Sequence, residues 1–161
     1  MNQKTKKIIL FFSNEISLKI WKKTGIYDRE VKFYKILQKK GYEILFVTHG
    51  DQSDYKYKRD LGEIKILPLF ENIKKTKNIF YNFFLGIISI IRNKKILNDY
   101  DIIKTNQIYG GHLALICKFL INKNLIVRSG YEPYLFSIIT KKNIIKKTLN
   151  YLNSLILYQF A

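Results

Sequence analysis

Short apolar runs alternate with amphipathic stretches along the whole chain. The first run, KKIILFF at 6–12, has no polar alternation and predicts a strand buried on both faces. Residues 13–28, SNEISLKIWKKTGIYD, carry a single glycine, Gly25, and predict a loop. REVKFYKILQKKG at 29–41 predicts a helix with a glycine stop, and YEILFVTHG at 42–50 a second strand. A strand, a glycine-bearing turn, a helix and a parallel strand form one right-handed crossover unit.

The same alternation continues. Residues 51–62 read as a polar loop and 63–69 (EIKILPL) as a third strand stopped at Pro68. A basic connector at 70–78 leads into a predicted helix at 79–97. There Phe80, Phe83, Phe84, Ile87, Ile88 and Ile91 recur at three- and four-residue spacing. This stripe predicts the face that packs on the sheet. A fourth strand is predicted at 99–106, a helix at 110–120 and a fifth strand at 124–129. A last helix at 142–158 places Ile145, Leu149, Leu152 and Ile156 on one face and lysines on the other. The pattern predicts an α/β fold: a doubly wound, Rossmann-like parallel sheet with both faces covered.

Composition narrows the picture. The chain has 161 residues, enough for one domain, and 47% are hydrophobic, enough for a core. Its lone cysteine, Cys117, lies in an apolar stretch and offers no disulfide framework, which predicts a reducing, cytoplasmic setting. No apolar run reaches the roughly 18–20 residues of a spanning helix. Formal net charge is +17, from 29 Lys and Arg against 12 Asp and Glu. Such a field attracts polyanions: nucleic acid, anionic lipid or phosphorylated substrates. Lysine, isoleucine and asparagine are abundant together while arginines are few, so compositional drift explains the charge equally well.

In a parallel sheet of this kind ligands sit at the carboxyl ends of the strands. Four polar clusters fall there. Ser13, Asn14 and Glu15 follow the first strand, with Gly25 and Asp28-Arg29-Glu30 at the helix start. Thr48, His49, Gly50 and Asp51 follow the second. Thr105, Asn106 and Gln107 follow the fourth, ahead of Gly110-Gly111. Arg128, Ser129, Gly130, Tyr131 and Glu132 follow the fifth. This edge is rich in donors, as a sugar or phosphate site requires. Alternatives stand beside each cluster. Asp28 caps its helix or lines the site. Gly110-Gly111 permit a tight turn or bring backbone N–H groups to an anion. Arg128 pairs with Glu132 or Asp28, or binds ligand, because a charge at the end of an apolar strand requires a partner.

Several chemistries lack their residues. No GxGxxG follows the first strand, and there is no P-loop, HExxH, CxxC or GxSxG. Two histidines and one cysteine give no metal-ligand spacing.

The pieces KIILFF, TGIYDREVKFYKILQKKGYEILFVTHGD, DIIKTNQIYGGHLALICKFL and NLIVRSGYEPYLF resemble the N-terminal domain of group-1 (family 4) glycosyltransferases of the two-domain GT-B fold. The resemblance covers nearly the whole chain. It implies an acceptor-side domain, residues 1–161, ending before the domain that holds most of the nucleotide-sugar site. It implies a nucleotide-sugar donor for the complete enzyme, no cofactor or metal bound by this domain alone, and a sugar or lipid-linked acceptor. Partners implied are the donor-binding domain or a partner subunit, and an anionic membrane surface reached from the cytoplasmic side. The residues carried over as acceptor or donor contacts are Asn14, Gly25, Asp28, Asn106, Gln107, Gly110, Gly111, Arg128, Tyr131 and Glu132. Many relatives place a histidine after the fourth strand. Here the run is Thr105-Asn106-Gln107, and glutamine bonds a hydroxyl but is no general base.

Two other classes remain as alternatives. One is a non-catalytic fragment or the subunit of a split transferase. The other is a basic nucleic-acid-binding protein, which rests on charge alone, since no zinc finger, RNA-binding signature or helix-turn-helix is recognisable. The lysine face of 142–158 and the basic flanks of the 80–91 helix are candidates to rest on anionic lipid, the alternative being that both helices cover the sheet with solvated lysines outward.

Overall fold

The computed structural model describes residues 6–130 and 132–161. Its centre is a parallel sheet of five strands: β1 (Lys7–Phe11), β2 (Glu43–Thr48), β3 (Lys65–Pro68), β4 (Ile102–Thr105) and β5 (Asn124–Ile126). The strand order is β3-β2-β1-β4-β5. The chain winds outward from β1 to β3, then crosses back to β4 and winds the other way. In register, Phe11 faces Val47 on one side and Thr105 on the other. The doubly wound α/β fold expected from the hydrophobic pattern is therefore present, and its switch point lies between β1 and β4.

Strand alternation sorts the core into two layers. Ile8, Leu10 and Phe12 face helices α1 (Leu18–Lys23) and α2 (Tyr27–Lys39), with the short α3 (Lys58–Leu61) below β3. Ile9 and Phe11 face α4 (Ile79–Arg92), α5 (Lys94–Asn98), α6 (Gly111–Ile121) and α8 (Ile144–Gln159). In the first layer Trp21 stacks on Phe12 with ring centroids 3.9 Å apart and meets Phe46 edge-on at 5.9 Å. Each such pair contributes about 1 kcal/mol beyond its buried area.

The structure departs from the sequence pattern in four places. Residues 13–28 are not all loop: Ser17 caps α1, its hydroxyl accepting from the Ile20 N–H at 3.3 Å. The next helix starts at Tyr27, so Asp28 lies inside its first turn rather than capping it. Residues 51–62 hold a 3₁₀ turn, Gln52–Tyr57, and α3. The stretch 79–97 divides into α4 and α5 at Asn93, whose side-chain amide donates to the Ser89 carbonyl at 2.9 Å. Finally, Glu132 caps an unforeseen helix, α7 (Pro133–Ile139), by accepting from the Leu135 N–H at 2.7 Å.

A further correction concerns which faces turn inward. On α4 the buried positions are Asn82, Gly86, Ser89 and Ile90, and of the predicted stripe Phe83 and Ile87 pack on the core while Phe80, Phe84, Ile88 and Ile91 are exposed. On α8 the buried positions are Ser154 and Leu157, while Ile145, Leu149, Leu152 and Ile156 are exposed. Glycines set how closely these helices approach α6. A Cβ on Gly86 would stand 2.9 Å from Leu113 of α6, and one on Gly111 would stand 2.7 Å from Leu157 of α8. Helix α4 seats Gly86 against Leu113 of α6, whereas at the other contact α6 supplies the small residue, Gly111, and α8 the large Leu157.

Gly110 is the tightest point in the backbone. Its φ is +154°, and a Cβ there would lie 2.4 Å from the Phe12 carbonyl and 2.9 Å from the Ser13 Cα. Gly25, at φ +74° between α1 and α2, has open space where a Cβ would go. Gly110→Ala should therefore cost about 2–4 kcal/mol, from backbone strain plus overpacking. Gly25→Ala should cost about 1 kcal/mol from conformation alone. Urea unfolding of the two variants checks this, and equal losses would contradict the close approach.

Candidate functional site

Two loops meet at the switch point. The β1–α1 loop is tied to the β4–α6 loop by the Asn14 N–H, which donates to the Tyr109 carbonyl at 2.7 Å. It is tied to the end of β2 by the His49 N–H, which donates to the Ile16 carbonyl at 3.0 Å. Between these loops and the start of α2 opens a cavity of about 600 Å³. Its walls are Ser13 and Asn14 after β1, Ile20, Trp21 and Thr24 of the α1 region, Arg29 and Glu30 of α2, and Asn106, Gln107 and Tyr109 after β4. A larger groove, about 760 Å³, lies by Gly41, Tyr42 and Gly62 at the opposite edge of the sheet. No buried polar side chain without a partner lines it among the described residues.

The cavity differs in that respect. Asn106 is buried and its Oδ1 accepts no hydrogen bond; Trp21 is buried and its indole N–H donates none. Both residues line the cavity. Leaving a buried polar group unpaired costs about 1–3 kcal/mol, so an unpartnered acceptor and an unpartnered donor on residues of one cavity favour a ligand that supplies both.

Glu30 forms the anchor beneath. One carboxylate oxygen accepts from Arg29 at 2.9 Å and the other from Arg128 at 3.1 Å. Its side chain is almost fully buried, whereas Arg128 is partly open. The partner of Arg128 is thus Glu30, neither Glu132 nor Asp28. The Arg128 backbone N–H donates to Thr105 Oγ1 at 3.0 Å, which joins β5 to β4. Lys104 stands alongside, donating to the Tyr34 hydroxyl at 3.0 Å. Burial, and secondarily the Arg128 charge, lower its pKa to about 8.

The residues singled out in the sequence divide accordingly. Asn14, Asn106 and Gln107 come together in the cavity. Gln107 also receives the Gly130 N–H at 3.2 Å. Gly25 sits in the turn behind it without lining it. Asp28 faces outward and pairs with Lys22 at 3.0 Å. The N–H groups of Gly110 and Gly111 both donate to the Ile108 carbonyl at 3.0 Å, so these glycines serve the turn and not an anion. Glu132 caps α7 and accepts from the Ser154 hydroxyl, away from the cavity. Tyr131 lies outside the described residues. Trp21, Ile20 and Tyr109 join the wall without having been singled out. The signal for Trp21 was the spacing of Leu18 and Trp21 behind Ser17, a capped helical turn.

The cluster after β2 is committed to the fold. Thr48 Oγ1 donates to the buried Asp54 at 2.6 Å, and a Cβ on Gly50 would lie 2.0 Å from that carboxylate. Burial raises the Asp54 pKa against the lowering effect of the Thr48 bond. His49 is buried with Nε2 unpaired, and burial, aided by Lys75, lowers its pKa to about 3. Among the described residues no group of three His, Cys, Asp or Glu side chains could hold a metal ion.

Two outcomes test this geometry. An imidazole held neutral in the folded state binds fewer protons than in the unfolded state between pH 6.5 and about 3. Its contribution is complete above pH 6.5 and is lost on acidification, at up to about 1.4 kcal/mol per pH unit inside that window. His49→Gln should flatten the pH dependence of Tm in that range, and an unchanged slope would refute the assignment. Separately, a double-mutant cycle of Glu30→Gln and Arg128→Gln should give a coupling of about 1 kcal/mol in urea unfolding. Additive losses would mean that the pair stabilises nothing.

No protein-family model, curated protein or solved structure matches the chain.

Proposed function

We propose that the chain is the acceptor-side half of a GT-B glycosyltransferase. Joined to a donor-binding domain or partner subunit, it would transfer a sugar from a nucleotide-sugar donor to a polysaccharide or lipid-linked acceptor. The observation that carries this reading is the pair of buried, unpartnered polar atoms, Asn106 Oδ1 and the Trp21 indole N–H, on residues that line the cavity at the switch point.

A sugar hydroxyl both donates and accepts, so one ring can satisfy both atoms. Tyr109 and the apolar side chains of Ile16, Ile20 and Ile26 give the ring's C–H faces a surface, while Asn14 and Gln107 add amides at the rim. In the transfer, the acceptor oxygen bonds to the anomeric carbon as the bond to the nucleotide phosphate breaks. The phosphate leaves with the electron pair and takes up the proton of the acceptor hydroxyl, and a nearby cation such as Arg29 favours its charge. Gln107 orients a hydroxyl and takes no proton.

Titration calorimetry with a panel of monosaccharides, glycosyl phosphates and nucleotide sugars tests the site. At least one sugar should bind. Asn106→Ala and Trp21→Phe should each weaken it about tenfold, close to 1.4 kcal/mol, while Asp28→Ala should leave it unchanged. Binding insensitive to both cavity variants would move the site elsewhere. Sugar binding without transfer after a donor domain is joined would leave a binding module.

A further inference from the structure

Helix α8 meets the rest of the fold along one narrow line. The Asn150 side-chain amide donates to the Pro133 carbonyl at 3.2 Å, the Ser154 hydroxyl donates to Glu132, and Leu157 lies against Gly111. At about 100° of turn per residue, Ile145, Leu149, Leu152 and Ile156 fall on the opposite side of the helix from Ser154. These four are between 42% and 66% exposed. They follow one another at spacings of four, three and four residues. That alternation is the seam of a coiled coil, which a second helix with the same repeat completes. A contiguous exposed apolar face of this kind marks an interaction surface.

The symmetry and the charge of the stripe identify the second helix. The spacings read the same in both directions about a midpoint between Asn150 and Tyr151. An antiparallel copy of α8 therefore sets Ile145 against Ile156 and Leu149 against Leu152, and does so twice, as a two-fold axis requires. A parallel copy would match the stripe as well, so charge decides the direction. Helix α8 contains no Asp or Glu. Lys141, Lys142, Lys146 and Lys147 crowd its start, and its last turn carries no basic residue. In a parallel pair the two lysine clusters would lie side by side and repel. In an antiparallel pair each cluster lies along the carbonyl end of the other helix, where the helix dipole favours cations. Lys146 then stands level with Leu155 of the other copy. The two Lys146 positions are about 14 Å apart along the axis, beyond the screening length of about 10 Å at 0.1 M salt.

We propose that two copies of the chain pair through α8, antiparallel about a two-fold axis at the level of Asn150 and Tyr151. The pairing does not rest on the sugar-site reading, because α8 lines no part of the switch-point cavity. Each copy carries a formal charge of +17, so long-range repulsion opposes association and the dimer tightens as salt screens it.

Sedimentation of the full chain at low salt and at about 1 M salt should show a reversible monomer–dimer equilibrium, with more dimer at the higher salt. Leu149→Lys with Leu152→Lys changes exposed positions only. This variant should keep the circular dichroism and Tm of the parent while weakening the dimer at least tenfold. Direction is tested by oxidising the single variants Ile145→Cys and Ile156→Cys, first separately and then mixed. A disulfide needs Cα atoms within about 7 Å. Antiparallel pairing brings position 145 of one copy beside 156 of the other and holds like positions roughly 16 Å apart along the axis. The mixture should form a disulfide-linked dimer and the separate variants should not; the native Cys117 is buried and does not compete. Three results would overturn the proposal: a monomer at both salts, whether or not it binds lipid vesicles; a dimer that the lysine variant leaves intact; or disulfide-linked dimers of each cysteine variant with itself.

Discussion

The seating of Gly110 against the end of β1 governs the rest of the molecule. With no side chain in the way, the β4–α6 loop lies directly on the Phe12 carbonyl and the Ser13 backbone. That contact closes the sheet where its winding reverses. It places Asn106 and Gln107 opposite Asn14 and aims the start of α6 back over the sheet. A larger residue would push the loops apart and widen the cavity between them. The position of the cavity is thus a consequence of topology, and its shape a consequence of one backbone contact.

Electrostatics supports the same junction from below. Glu30 is held between Arg29 and Arg128, which come from α2 and from the end of β5. The pairing spans the switch point and binds the two halves of the sheet on the α2 side. On the opposite side the helices use small residues for closeness, with Gly86 against Leu113 and Gly111 against Leu157. The two sides therefore solve the packing problem differently. One uses a buried aromatic cluster and a clamped carboxylate. The other uses glycine-mediated approach of helices around an aliphatic core.

Much of this was legible from the chain. Continuous apolar runs marked β1, β2 and β4, because a strand covered on both faces cannot alternate. The spacing of strands and helices marked a parallel sheet, and polar residues just past the strands marked Asn14, Asn106 and Gln107. Other features were not legible. The α1 turn is too short for its periodicity to stand out, so Trp21 stayed hidden. Arg128 announced its need for a partner, but the choice of Glu30 over Asp28 depends on the helix phase at Tyr27. The α8 stripe turns outward, and the α4 stripe divides, with Phe83 and Ile87 on the core and Phe80, Phe84, Ile88 and Ile91 exposed. Periodicity locates an apolar face without saying which way it points, and only the packing against α6 decides that.

By itself the sequence determined the order of elements, the parallel sheet and the polar carboxyl edge. Each of these follows from local spacing and from the rule that apolar strands must be covered. The tertiary structure alone decided which edge residues share a cavity, which charges pair and which helix faces meet solvent. Those outcomes depend on distances between segments far apart in the chain. Gly110 against Phe12, Glu30 against Arg128 and Gly111 against Leu157 are contacts of that kind, and no local pattern encodes them.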